Sequence, residues 1–151
     1  MSDHFTIVVP RDPGLVPTDE VQQRVVGVLR RIAPAAEEVT VEVWPKIQFF
    51  NCGQNFEGIS CPRCSGEISV EWWQDRMDDD TDGEGFRLDR YAAPCCALSI
   101  NLNELIYSWP QGFGRFSWSV QNPNIGELTE AAKSELETAA GFALVVVQQH
   151  L

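Results

Sequence analysis

The sequence predicts an α+β fold in which two helices pack on one face of a small antiparallel sheet. Strand-like segments of apolar residues occur near both ends of the chain, and each end also carries one stretch with apolar residues at helical spacing. With 151 residues, of which 44% are hydrophobic and 22% charged, the chain has the size and composition of one globular domain.

The first half of the sheet is predicted near the N-terminus. The apolar run from His4 to Val9 ends at Pro10 and is typical of a strand. A helix follows from Thr18 and stops at Pro34. Its apolar positions recur at helical spacing: Val21, Val25, Val28, Leu29 and Ile32. From Val39 to Trp44 a valine occupies every second position, which predicts a half-buried strand.

The C-terminal elements mirror the N-terminal ones. Arg115 to Gln121 alternates polar residues with aromatic or apolar residues and predicts a strand. A second helix is indicated by Leu128, Ala132, Leu136 and Ala139. Gly141 suits the C-terminal cap of this helix, and Phe142 to Val147 is another apolar strand.

The order of these elements predicts the topology. Strand, helix, strand, middle segment, strand, helix and strand match a split βαβ, or ferredoxin-like, sheet. We therefore expect residues 1–44 and 114–151 to form the α+β sheet of a single domain, with residues 45–113 as an insertion. The insertion is too small and polar to bury a sufficient core alone, which is where a structural metal is commonly needed.

Four cysteines in the insertion predict a zinc site. Cys61 and Cys64 belong to a Cys-Pro-x-Cys turn, and Cys95 and Cys96 follow a second proline. The turn places two thiolates on one side of a tight knuckle, and the second pair completes the tetrahedron that structural zinc prefers. The proline after the first cysteine and Gly66 favour amide groups that turn toward thiolate sulfur. Four thiolates leave no open position for water, so the ion is expected to be structural.

Two alternatives to this ligand set remain open. Adjacent cysteines point in different directions, so Cys95 or Cys96 is alternatively a packed thiol with Cys52 as the substitute ligand. The other alternative is five buried free cysteines, because buried thiols behave as small hydrophobic side chains. Buried thiols, however, do not need the Cys-Pro-x-Cys spacing.

The chain from Phe56 to its C-terminus resembles a group of uncharacterised small bacterial proteins with a zinc-ribbon-like insertion. The matching stretches are Cys61–Cys64, Pro94–Cys96, Leu102–Leu105, Tyr107–Phe113, Arg115–Phe116 and Asn122–Pro123. The resemblance implies that both adjacent cysteines belong to the metal site, and it implies no activity. Ser65 and Ala97 depart from the glycine expected after each cysteine pair.

The charge of the chain limits the classes of partner it can bind, and its apolar pattern predicts its compartment. Twenty-two acidic and eleven basic residues give a net charge of −11, which disfavours nucleic acid and anionic membrane surfaces. Arg63 is the only cation of the knuckle. No apolar run long enough to span a membrane and no secretory signal occurs. We expect a cytoplasmic protein whose thiols stay reduced, and the sequence does not indicate its oligomeric state.

Two further patterns in the sequence are typical of metal or catalytic sites. An acidic run matches positions of a calcium-binding loop: Asp78, Asp80, Asp82, Gly83 and Asp89. Asp89 stands where this loop needs glutamate and Pro94 breaks any exit helix, so a mobile acidic loop is the preferred interpretation. His4 and His150 fall on antiparallel neighbouring strands of the predicted sheet, so a close pair is one alternative; edge histidines bonded to water are the preferred interpretation.

Exposed aromatic residues indicate protein binding. The candidate interaction residues are Trp72, Trp73, Tyr107 and Trp109, with at least one of Trp72 and Trp73 partly exposed. The alternative is that most of them form a second core around the zinc. The predicted function is a non-enzymatic, zinc-binding protein-interaction module. A specific version is a bacterial immunity or antitoxin protein, because an acidic body is attracted to a basic partner.

The competing hypothesis is an enzyme that uses carboxylates. Its residues would lie near a cleft between sheet and insertion: Glu57, Glu67, Glu71 and Glu104. It requires an apolar pocket around one of them. No phosphate-binding loop, dinucleotide fingerprint or nucleophile elbow occurs in the sequence, which favours the non-enzymatic function.

Overall fold

The computed structural model describes residues 3–151 and has the predicted α+β class. The elements in chain order are β1 (His4–Pro10), α1 (Asp19–Ile32), β2 (Glu38–Phe50), β3 (Gly58–Ser60), β4 (Glu67–Ile68), α2 (Val70–Asp80), β5 (Tyr91–Ala92), β6 (Ser99–Ile100), β7 (Ile106–Ser108), β8 (Gly112–Gln121), α3 (Glu130–Ala140) and β9 (Leu144–His150).

Four strands from the two ends of the chain form the main sheet. Their order is β2-β8-β1-β9, and every neighbouring pair is antiparallel. Helices α1 and α3 pack together on one face. On that face Val8, Trp118 and Leu144 are fully buried against Val25 of α1 and Leu136 of α3. The helices therefore cover one side of the sheet, as the periodicity predicts.

Polar side chains fix the ends of both sheet-packing helices. The hydroxyl of Thr18 accepts a hydrogen bond from the backbone N–H of Val21, and the hydroxyl of Thr129 does the same for Ala132. Gly141 ends α3 with a φ of 85°, a left-handed conformation that favours glycine. These local signals explain why the predicted helices match the observed ones closely.

The β2 and β8 strands extend further than their sequence pattern indicates. Pairing between them shifts register after Val43 and resumes at Gln48, then continues to Phe50 opposite Gly112. Pro45 falls inside the irregular stretch, and proline lacks the N–H that regular sheet pairing requires. The alternation therefore breaks at this point although the strand itself goes on.

The other face of the sheet is covered by the end of β2 and the chain that follows it. Ile7, Val9 and Val147 point to that side and pack with Phe50 and Cys52, which forms a second buried layer. The middle segment thus shields the side of the sheet that the helices leave free.

Gly53 attaches the beginning of the middle segment to the last strand. It forms a parallel bridge with His150 and has a φ of 61°. A Cβ atom at this position would lie 2.2 Å from the carbonyl oxygen of His150, so only glycine allows this approach.

The middle segment has a hydrophobic cluster of its own beneath α2. Its fully buried members include Ile68, Ile100, Leu102 and Phe113. Half-buried residues of α2 pack against them: Trp72, Trp73 and Met77. This cluster joins α2 to the short strands that flank the cysteine turns.

The start of the acidic run is helical, so the prediction of a mobile acidic loop is wrong for Asp78 to Asp80, whereas the residues from Thr81 to Asp89 lie outside the helix. Asp78 to Asp80 form the last turn of α2, and Asp80 is fully buried. Its carboxylate accepts hydrogen bonds from the backbone N–H groups of Leu88 and Asp89, each at 2.8 Å, and from the hydroxyl of Tyr91 at 2.9 Å. These bonds hold the helix end to the chain that leads into β5.

Candidate metal centre

Two short hairpins carry the four clustered cysteines. Strands β3 and β4 flank the turn with Cys61 and Cys64, and strands β5 and β6 flank the turn with Cys95 and Cys96. Both hairpins are antiparallel and two residue pairs long. The sequence signal that predicts the knuckle therefore corresponds to a regular structural unit that occurs twice.

The two turns share one hydrogen-bond pattern. The residues of each turn are numbered one to six, starting from Cys61 in one hairpin and from Ala93 in the other. The N–H of residue one donates to the carbonyl of residue six at 2.9 and 2.8 Å, and the N–H of residue five donates to the carbonyl of residue one at 3.1 and 2.9 Å. The backbone geometry is thus equivalent in both hairpins.

This equivalence explains how adjacent cysteines enter one cluster. Cys64 and Cys96 both occupy position four of their turns. The second turn has Ala93 at position one, which is 3% exposed, and places its other thiol at position three, on Cys95. Cys95 therefore takes the turn position that Arg63 holds in the first hairpin.

Position five of each turn is left-handed. Ser65 has a φ of 60° and Ala97 a φ of 61°. A side chain in this conformation costs about 1–2 kcal/mol, which is why glycine is expected there. Both hairpins accept this strain at the same place, so the turn geometry is kept without glycine.

The four thiols lie close enough to bind one ion. All of their sulfur atoms are within 4.8 Å of one another. Individual Sγ–Sγ distances are 3.7 Å for Cys61 and Cys96, 3.3 Å for Cys64 and Cys95, and 3.9 Å for Cys95 and Cys96. A tetrahedron with zinc–sulfur bonds of about 2.3 Å has edges of about 3.8 Å. No disulfide joins these cysteines.

Backbone amides favour negative charge on the first pair. The N–H of Arg63 donates to the sulfur of Cys61 at 3.5 Å, and the N–H of Gly66 donates to the sulfur of Cys64 at 3.4 Å. Hydrogen bonds from the amides of Cys64 and Arg63 lower the pKa of Cys61 to about 6. A Cβ atom on Gly66 would lie 3.1 Å from the sulfur of Cys64, so glycine permits the close approach of this amide.

The thiol of Cys95, in contrast, is harder to ionise than an ordinary cysteine. Its hydrogen bond with Cys64 and the loss of solvent raise the pKa of Cys95 to about 12. The two thiols are coupled, because ionisation of Cys61 disfavours ionisation of Cys95 beside it. A divalent cation replaces thiol protons, because it binds thiolates and offsets their mutual repulsion.

The cluster lies at the edge of the middle segment. Cys61 is buried and Cys96 is half-buried, whereas Cys64 and Cys95 are exposed. Cys52 is not a member: it is fully buried under the main sheet, where loss of solvent raises the pKa of its thiol. Neither the substitute-ligand alternative for Cys52 nor a set of five buried thiols matches this arrangement.

The predicted calcium-loop positions do not converge. Asp78 and Asp80 belong to α2, and both carboxylate oxygens of Asp80 accept hydrogen bonds from the protein. Within residues 3–151, the four cysteines are the only group of three or more His, Cys, Asp or Glu side chains placed to hold one ion.

The two histidines are in contact. His4 and His150 lie directly opposite each other in β1 and β9, and their rings stack with centroids 4.2 Å apart. The proximity that neighbouring strands predict is therefore confirmed, because the register of the two strands places the rings side by side.

The candidate interaction residues differ in exposure. Trp72, Trp73 and Trp109 are half-buried, which leaves part of each ring accessible. Tyr107 is only 7% exposed. Its hydroxyl donates to the carbonyl of Leu102 at 2.7 Å and accepts from Nε1 of Trp73 at 3.0 Å. Tyr107 therefore stabilises the interior of the middle segment, and little of its side chain is accessible to a partner.

The carboxylates of the enzyme hypothesis are all exposed and do not share an apolar pocket: Glu57, Glu67, Glu71 and Glu104. Glu57 accepts hydrogen bonds from Ser108 and Trp109, and Glu104 pairs with Arg90. Their surroundings thus lack the burial that the enzyme hypothesis requires.

Sequence reasoning missed the repeated hairpin and the role of Asp80. The hairpin had a signal in the sequence. Counted from the first residue of each segment, Ile59–Ile68 and Tyr91–Ile100 share proline as the fourth residue and cysteine as the sixth. The role of Asp80 had no sequence signal, because the residues that donate hydrogen bonds to it come later in the chain, in a stretch without regular periodicity.

In residues 3–151 no helix is long and apolar enough to cross a membrane. Comparisons of the chain with protein-family models, curated proteins and solved structures found no match.

Proposed function

We propose that the protein binds one structural zinc ion through Cys61, Cys64, Cys95 and Cys96. The observation that carries the proposal is the approach of all four sulfur atoms to within 4.8 Å. Four thiolates from two knuckles fill the coordination shell of zinc, so the ion has no position for substrate or water. Its role is to hold the two hairpins together.

The same proposal covers the architecture. We infer a ferredoxin-like sheet that carries a zinc-stabilised insertion. The strand order β2-β8-β1-β9 and the two helices on one face support the first part. The position of the cysteine hairpins between β2 and β8 supports the second.

Native mass spectrometry with metal analysis tests the zinc site. We expect one zinc per chain in the wild type and in Cys52→Ala, which removes the thiol outside the cluster. Cys64→Ser should lose zinc to a chelator that leaves the wild type loaded, and its melting temperature should fall with the loss. Equal zinc retention in Cys64→Ser and Cys52→Ala would remove the basis of the proposal.

The biological role proposed for this scaffold is protein binding without catalysis. Trp72 and Trp73 are half-buried on α2, and Val70 beside them is 39% exposed. Partly exposed tryptophans commonly anchor interfaces, and the net charge of −11 favours a basic partner. An immunity or antitoxin protein with a basic toxin is the specific version.

A protection assay tests that version. Co-expression with a toxin encoded beside this chain should restore growth, whereas Trp72→Ala should restore less. The matched control is Glu67→Gln, which changes an exposed side chain outside α2. Failure of the wild type to protect would rule out the immunity role and leave the zinc proposal intact.

A further inference from the structure

The four clustered thiols form two pairs of different exposure. Cys64 and Cys95 are both exposed and form an outer pair. The inner pair consists of Cys61, which is fully buried, and Cys96, which is half-buried. Each hairpin contributes one thiol to each pair, so both pairs connect the two cysteine turns.

The sulfur atoms of the outer pair are in direct contact. They are 3.3 Å apart, compared with 3.7 Å for the inner pair. A peroxide oxidises a cysteine whose sulfur it can reach, and a second thiol beside that sulfur converts the product into a disulfide. The inner pair is also close, but Cys61 has no exposed surface through which a peroxide could reach it. Accessibility and proximity therefore coincide in the outer pair.

Other disulfides of this chain are less favourable. The sulfur atoms of Cys95 and Cys96 are 3.9 Å apart, but the two residues are adjacent in sequence. Consecutive Cα atoms lie about 3.8 Å apart, whereas a disulfide usually joins Cα atoms that are about 4.4–6.8 Å apart. Cys52 is fully buried under the main sheet, outside the cluster, so its thiol does not compete.

We propose that Cys64 and Cys95 are an oxidation site at which a peroxide forms a disulfide and releases the zinc ion. This inference rests on the proposed zinc function, because it concerns two of the four zinc ligands. It goes beyond that function in assigning the outer pair a chemistry that the inner pair does not share.

The reaction needs hydrogen peroxide as its only oxidant. One outer thiolate attacks a peroxide oxygen, the O–O bond breaks, and hydroxide leaves as the sulfur becomes a sulfenic acid. The other outer thiolate attacks this sulfur, the S–S bond forms, and the S–O bond breaks to release a second hydroxide. The two thiolates lose two electrons to the peroxide, and both hydroxides become water by taking protons from the solvent.

Oxidation changes the cross-link between the hairpins without removing it. The inner pair alone supplies half of the four ligands that zinc needs, so the ion is lost. The new disulfide connects the same two turns across a sequence separation of 31. Because a disulfide that closes such a loop restricts the unfolded chain, the oxidised protein should keep its fold without zinc.

Peroxide treatment of the full-length, zinc-loaded protein tests the proposal. Zinc content is measured first, zinc release is followed with a colorimetric chelator, and disulfides are then located by peptide mapping after alkylation under denaturing conditions. Trypsin cleaves after Arg63, so Cys61 and Cys64 fall in different peptides. We expect one zinc ion released for each disulfide between Cys64 and Cys95, with Cys52 recovered as an alkylated thiol. Dithiothreitol and added zinc should restore the original zinc content.

Variants and melting temperatures separate this site from general oxidative damage. Cys52→Ala should form the disulfide as the wild type does, whereas Cys64→Ser should lose it and let dimedone trap a sulfenic acid on Cys95. The oxidised, metal-free wild type should melt at a higher temperature than the reduced, metal-free wild type.

The possible failures are distinct. A disulfide between Cys61 and Cys96, a mixture of pairings without preference, or zinc release without a disulfide would overturn the inference and leave the zinc function intact. A wild-type protein that holds no zinc before peroxide is added would contradict the zinc function, and the release step would fall with it.

Discussion

The buried carboxylate of Asp80 should decide how firmly the second cysteine hairpin is held. It accepts three hydrogen bonds of 2.8 to 2.9 Å, two from the segment between α2 and β5 and one from Tyr91, the first residue of β5. Asp80→Asn keeps the shape of the side chain but replaces one acceptor oxygen with a donor. That donor would face a backbone N–H, so at least one hydrogen bond is lost. The new side-chain N–H and the backbone N–H opposite it are then both buried without an acceptor.

The expected cost follows from these contacts. A hydrogen bond to a charged group contributes about 1.5–3 kcal/mol, and a buried unpaired donor costs a similar amount. We expect Asp80→Asn to lower the free energy of unfolding by about 3 kcal/mol, which in a domain of this size lowers the melting temperature by about 6–12 °C. A chelator should also remove zinc from this variant faster, because the hairpin with Cys95 and Cys96 loses its anchor.

Differential scanning calorimetry with a matched control checks this expectation. Asp79→Asn removes the neighbouring carboxylate, which is 59% exposed and pairs with Arg76. This control should change stability by no more than about 0.5 kcal/mol. Melting temperatures that agree for Asp80→Asn and Asp79→Asn would refute the assigned role of the buried hydrogen bonds.

Two more predictions concern the cysteine turns. Ala97→Gly should relieve left-handed strain and raise stability by about 0.5–1 kcal/mol in thermal melts, whereas Ala92→Gly in β5 should lower it by a similar amount; equal effects of the two changes would contradict the strain argument. Acid should release zinc, because protons compete with the ion for sulfur. The release should become steeper below about pH 6, where the pKa of Cys61 lets that thiol take up a proton in the metal-free protein. Unchanged zinc retention across that pH range, measured with a colorimetric chelator, would speak against thiolate ligation.

Much of the fold is predictable because its signals are local. The caps at Thr18 and Gly141 act within one helical turn, and the alternating strands show which side chains are buried. The extension of β2 beyond Pro45 is not predictable in this way, since a register shift that depends on β8 absorbs the proline. The helical turn at Asp78 to Asp80 has no local signal for a similar reason: Asp80 is stabilised by donors that come later in the chain.

The cysteine cluster is partly predictable from the sequence. Cysteine spacing selects Cys61, Cys64, Cys95 and Cys96, but only the repeated turn shows how the adjacent pair can share one cluster.

The central position of β1 has a consequence for folding during synthesis. This first strand pairs with β8 and β9, so contacts such as Thr6 with Gln148 span 142 residues. Contacts within the cysteine cluster span much less, with a sequence separation of 35 between Cys61 and Cys96. Because short loops close more readily than long ones, the two hairpins can associate on the ribosome before the sheet is complete. Zinc capture would then precede formation of the main sheet, and β1 would wait unpaired until the C-terminal strands emerge.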